Sequence, residues 1–131
     1  MRKDIEIPKA ENVHIAAIKE WDKNFTGQDW NIYVVNDRED EISMVLVLSR
    51  GNSESKKTST LRHNLGNIPP KTATKVELIS PEVLGFTNEY LVTFFAENKL
   101  FERRFVFAPN SISEENRIEI PVLETEGVLA K

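Results

Sequence analysis

The chain contains no cysteine. Disulfides, thiolate nucleophiles and cysteine-ligated zinc are excluded with it. Glycine is scarce, five in 131 residues, and no two stand as G-x-G. The loops that let backbone approach a nucleotide phosphate are therefore missing. The two histidines, His14 and His63, form neither H-x-H nor H-x-x-x-H. Without ligand spacing they predict no metal site, and the fold is expected to owe nothing to an ion or cofactor. No apolar run reaches the roughly 18 residues that span a membrane. The start, MRKDIEIPKAENVHIAAIKEW, is basic, but Asp4, Glu6, Lys9 and Glu11 interrupt any signal-type apolar core. The expected address is cytoplasmic. Basic charge is also short: 17 Lys and Arg against 21 Asp and Glu leave a net charge of -4. That balance argues against a general binder of nucleic acid or anionic membrane.

What is present is the mixture of an ordinary globular protein, 40% hydrophobic and 29% charged. The length suits one domain, residues 1–131, with its own core. Val13 to Trp21 fits two templates. Val13, Ile15, Ala17 and Trp21 alternate as a strand face, while Val13, Ala17, Trp21 and Phe25 fit a helical stripe. Frequent Val and Ile, and no clean N-cap box, favour the strand. Trp30–Val35 and Ile42–Leu48 read as strands around the polar turn NDREDE. GNSESKK is a loop, and Thr58–Leu65 a half-polar strand. Asn67–Pro70 turns the chain into the alternating Thr72–Ile79. Tyr90–Ala96 and Leu100–Phe107 predict a hairpin across Glu97-Asn98-Lys99. Ser111 and Glu114 fit a capping box for one helical turn within Pro109–Asn116, and Ile118–Val128 finishes the chain. Short strands at roughly ten-residue spacing predict an all-β sandwich of about seven to eight antiparallel strands.

The tetrapeptide IEIP occurs twice, at Ile5–Pro8 and Ile118–Pro121. The residues that follow do not match in any register, so a duplication is not supported. Each copy reads as a short terminal strand stopped at a sheet edge, because proline withholds the next ladder N–H.

WNIYVVNDREDEISMVLVLSRG, followed by LGNIPPKTATKVELI, resembles bacterial immunoglobulin-like domains over about half of the chain. The resemblance implies the immunoglobulin-like β-sandwich and no particular activity. The Cys…Trp…Cys core of antibody-type domains is missing. Tyr90 stands near the start of its strand, where a tyrosine corner would be. DIEIPKAENVHIA, KTSTLRHNLG and FFAENKLFERRF are in turn similar to a small uncharacterised bacterial protein family. Some of its members carry the label phenylalanyl-tRNA synthetase alpha subunit. Such a subunit needs arginines on ATP phosphates and glycines beside the nucleotide. Here Arg103 and Arg104 are the only adjacent arginines, and they sit in a predicted hairpin strand. The chain is also much shorter than such a catalytic domain, and it is not expected to activate phenylalanine.

Other chemistry is equally thin. Ser59, His63 and Asp40 could be drawn as a triad, but no G-x-S-x-G elbow supports it. Asp37, Glu39, Asp40 and Glu41 crowd one turn without the spacing of a calcium loop. Arg50, Lys56, Lys57, Arg62 and His63 form a local basic cluster, and the aromatic residues invite comparison with a nucleic-acid platform. Those aromatics lie in strongly apolar strands, where a core role is the default. Met44–Leu48, Tyr90–Val92 and Phe94–Ala96 do not alternate, so both faces of these strands want to be dry. Either the N-terminal segment up to Phe25 or a second copy must cover an outer sheet face. The expectation is a non-enzymatic interaction or structural module that self-associates as a homodimer. The alternative is a small ligand- or RNA-binding β-domain. A partner surface is expected at Arg62, His63, Arg103 and Arg104.

Overall fold

β-branched and aromatic residues favour extended backbone, because their side chains pack well on a pleated surface. The computed structural model describes residues 10–131, and extended backbone dominates it. The strands are β1 (Val13–Trp21), β2 (Gln28–Asn36), β3 (Ile42–Asn52), β4 (Leu61–Ile68), β5 (Thr72–Ile79), β6 (Thr87–Ala96), β7 (Lys99–Phe107), β8 (Ile118–Glu119) and β9 (Glu126–Leu129). Among the described residues no helix is long and apolar enough to cross a membrane.

Two antiparallel sheets pack face to face. One has the order β5-β2-β1-β9-β8 and the other β4-β3-β6-β7. With β1, β2 and β5 in one layer, and β3, β6 and β7 in the other beside β4, this is an immunoglobulin-like β-sandwich. Ile15, Ala17, Trp30, Ile32 and Val34 face Val45, Val47, Val92, Phe94 and Phe105 across the core. Phe94 stacks on Phe101 at 5.4 Å, and Tyr90 meets Phe107 edge-on at 6.0 Å. Burying each of the largest of these side chains stabilises the fold by roughly 1.5–3 kcal/mol.

Local chemistry shifts several boundaries from those read in the sequence. β3 continues through Gly51 to Asn52, because glycine fits where a Cβ would lie 2.8 Å from Asn88 Oδ1. β4 begins at Leu61 rather than Thr58, since Thr58 exchanges hydrogen bonds with Gly51 and closes the preceding loop. The β6–β7 turn needs only Glu97 and Asn98, both in the left-handed region (φ 52° and 60°). The capping box does not form. Ser111 Oγ donates to the Ala108 carbonyl at 2.7 Å, and the single turn is a 3-10 turn at Glu114–Asn116. Tyr90 does not make a tyrosine corner either, because its hydroxyl donates to a carboxylate, Glu77 Oε2, at 2.8 Å.

The first IEIP lies outside the described residues. In the second, Ile118–Glu119 is β8, a strand of two residues at the edge of its sheet. Beyond it the chain folds over the outer face of the β1 sheet. Ile120 is buried there against Ala16, Ile18 and Val35, with Val122 and Leu123 alongside. Gly127 allows this approach, because a Cβ would stand 2.5 Å from the Ala17 carbonyl oxygen. The C-terminal residues then cross to the other layer. Ala130 donates to Ile15, and Lys131 exchanges both backbone hydrogen bonds with Val106 of β7.

Candidate functional site

Two neighbouring residues of a strand point to opposite faces. This alternation divides the four residues expected to form one partner surface. Arg62 and Arg104 project from the outer face of the β3 sheet, whereas His63 and Arg103 lie on its inner side. Arg103 reaches along the sandwich edge to the Ala10 carbonyl at 3.4 Å, with its guanidinium 4.6 Å from the Phe105 ring centre.

The cross-strand register maps the outer face. Arg62 pairs with Leu48, Leu48 with Leu91, and Leu91 with Arg104, so one row carries two leucines between two arginines. The next row is Asn64, Leu46, Thr93 and Glu102. On the other side of the first row, Glu89 receives Arg104 at 3.3 Å and Arg50 at 3.5 Å. The opposite end of the face is apolar. Met44 is 70% exposed, Phe95 41% and Leu100 37%. Met44 sits in a β-bulge with φ 51°, a conformation unfavourable for a side chain of its kind, and its N–H is held by Asn67 Oδ1 at 3.2 Å.

The described N-terminal residues do not cover this face, because β1 is built into the other sheet between β2 and β9. The two outer faces therefore differ. The β1 sheet is covered by Ile120–Leu123, and the β3 sheet has no such cover among the described residues.

A second polar group closes the flank between β4 and β5. Glu77 accepts from Ser49 Oγ at 3.0 Å and from the Tyr90 hydroxyl at 2.8 Å, and His63 Nε2 lies 2.9 Å from Glu77 Oε1. A cavity of about 220 Å³ adjoins Ser49, Glu77 and Tyr90. The same His63 nitrogen is 3.3 Å from Ser49 Oγ. In a hydroxyl–imidazole–acid relay the acid and the hydroxyl occupy different ring nitrogens. Here they share one, so the arrangement is a clasp between sheet edges rather than a relay.

The remaining sequence candidates fall apart in space. His14 is in the β1 sheet and His63 in the β3 sheet. Burial lowers the pKa of His14; Asp37 opposes the shift and Arg103 adds to it. Arg38 binds Asp40 at 2.7 Å and Glu97 at 2.6 Å, and Lys71 binds Asp37 and Glu39, so four carboxylates at this end are engaged in ion pairs with two cations. Asp40 is thereby engaged away from His63. Phe94, Phe101, Phe105 and Phe107 face the core, and on the outer face of the β3 sheet they offer bases no stacking platform.

Both tyrosines are held neutral. Tyr33 donates to Glu20 at 2.7 Å, and burial followed by that carboxylate pushes its pKa up to about 12. Burial and Glu77 raise Tyr90 further. An unfolded tyrosine ionises near about 10. The folded values lie above it, so the stability these phenols contribute is complete below that pH and is lost as pH rises towards 12. An ultraviolet titration should show phenolate appearing only with unfolding. A normal transition in the intact fold would contradict this assignment.

The fold is an immunoglobulin-like β-sandwich in which, among the described residues, the outer face of the β3 sheet is the one without cover. No family model, curated protein or solved structure matches the chain.

Proposed function

We propose that this protein is a non-enzymatic, cytoplasmic interaction module that works through the outer face of the β3 sheet. One observation carries the reading: Leu46, Leu48 and Leu91 continue outward into Met44, Phe95 and Leu100, on a sheet whose inner face already supplies the core. Burying such side chains is worth roughly 1.5–3 kcal/mol each, enough collectively to offset the cost of association. The charged row at one end supplies orientation, since rim charges act on specificity more than on affinity.

The test uses Leu48→Glu, which places a charge at the centre of the face without touching the core. Its stability should stay within about 0.5 kcal/mol of the parent. Immobilised parent and variant chains are exposed to extract from the native cell. Species bound by the parent should be lost with the variant. Identical capture by both would remove this face as the functional surface.

A further inference from the structure

The charge pattern of this face is self-complementary in one orientation, and we infer that its occupant is a second copy of the chain, related by a two-fold axis running across the strands. The inference rests on the interaction reading above. In the aligned packing of two sheets the strands stay within about 30° of each other, which leaves two choices for an axis in the interface plane. An axis parallel to the strands lays β4 over the partner's β7. The row Arg62-Leu48-Leu91-Arg104 then meets itself reversed, and each Arg62 faces the partner's Arg104. Like charges in an apolar contact are strongly unfavourable.

An axis perpendicular to the strands keeps each strand over its own copy and exchanges the rows. Placed between the two central rows, it sets Arg104 opposite the partner's Glu102, and Glu102 opposite the partner's Arg104. Arg62 then meets the partner's Asn64, and Leu48 meets the partner's Leu46. At the ends, Val106 falls opposite the partner's Leu100. Glu89 falls opposite the partner's Phe95 at the rim, where Arg50 still holds it at 3.5 Å. The mixed signs of this face, with Glu89 and Glu102 among the arginines, disfavour a polyanion as the occupant.

Light scattering on the purified full chain over a range of concentrations reads the outcome. The parent should give twice 15.0 kDa at micromolar concentration. Glu102→Arg alone sets two arginines against two, and Arg104→Glu alone sets two glutamates against two. Each should weaken association by about tenfold or more. Mixed together, the two variants regain an Arg–Glu pair at both contacts, so the heterodimer should form where neither variant pairs with itself. The milder Glu102→Gln and a melting curve for each variant guard against misfolding. A mass of 15.0 kDa at every concentration would sink the second copy as occupant. The interaction face would still stand if Leu48→Glu abolishes capture. A dimer indifferent to all three substitutions, or a mixture that does not pair, would overturn the axis.

Discussion

Replacing Glu77 by alanine should remove about 3 kcal/mol of unfolding free energy, because it strands several polar groups at once in a largely buried site. The carboxylate receives Ser49 and Tyr90 and contacts His63, and these residues come from three strands besides its own. Without it the Tyr90 hydroxyl keeps its place in the core with nothing to donate to. For a domain of this size the loss corresponds to roughly 10 °C in melting temperature. Tyr90→Phe in the parent should cost about 1 kcal/mol, the usual net value of one hydrogen bond. In the Glu77→Ala background the same change should cost nothing, since the acceptor is already gone. This double-mutant cycle isolates the contact. A loss below about 1 kcal/mol for Glu77→Ala would mean that water replaces the carboxylate and that the clasp is not structural.

Gly127→Ala should be comparably damaging for a different reason. Its added Cβ would stand 2.5 Å from the Ala17 carbonyl oxygen, with Ile18 and Ile120 at 3.1 and 3.2 Å. Backbone cannot yield as a flexible side chain can, so β9 must move off β1. Overpacking of this kind costs about 1–3 kcal/mol. The effect should be local before it is global. Amide exchange should rise first at Ala16, Ala17 and the residues of β8 and β9, and proteases should cut between Ile120 and Thr125. Gly66 is the matched control, having a left-handed φ of 71° and nothing within 4 Å of an added Cβ. Gly66→Ala carries a backbone cost of about 1 kcal/mol and should leave exchange in β9 unchanged. Equal exchange profiles for the two variants would refute the steric account.

These residues also show what the sequence discloses and what it hides. Runs such as Trp30–Val35 and Leu100–Phe107 declare themselves as strands, because their β-branched and aromatic side chains fit little else, and the sandwich follows from their number and spacing. Direction is harder. Lys75 and Glu77 share a parity, yet a bulge at Val76 turns Glu77 inward to sit opposite Ile32 while Lys75 sits opposite Tyr33. One inserted residue reverses the faces beyond it, and nothing in TATKVELI announces it. The clasp is illegible in the sequence for that reason. The partner surface fails in another way: Arg62 with His63, and Arg103 with Arg104, are adjacent in sequence, and adjacency in a strand separates side chains. The signal lies in the alternation. Applied strictly, it couples Arg62 to Arg104 and excludes the other two. Met44–Leu48 does not alternate, and Met44, Leu46 and Leu48 are its outward members.

The position of β1 has a consequence for how the chain reaches this structure. One edge of β1 pairs with β2, which follows it directly, but the other receives Ala16↔Leu129 and Ala17↔Val128. During synthesis that second edge stays open until more than a hundred residues have been added. The β3 sheet is assembled from neighbours closer in sequence, so it can pair first, and the loop-closure cost of the β1–β9 contact is met last. Until then β1 offers unpaired backbone beside an uncovered Ala16 and Ile18, the kind of edge on which nascent chains aggregate. The stretch from Ile120 onward is thus both the lid of one sheet and its protection, and a refolding chain should hold its slowest phase there.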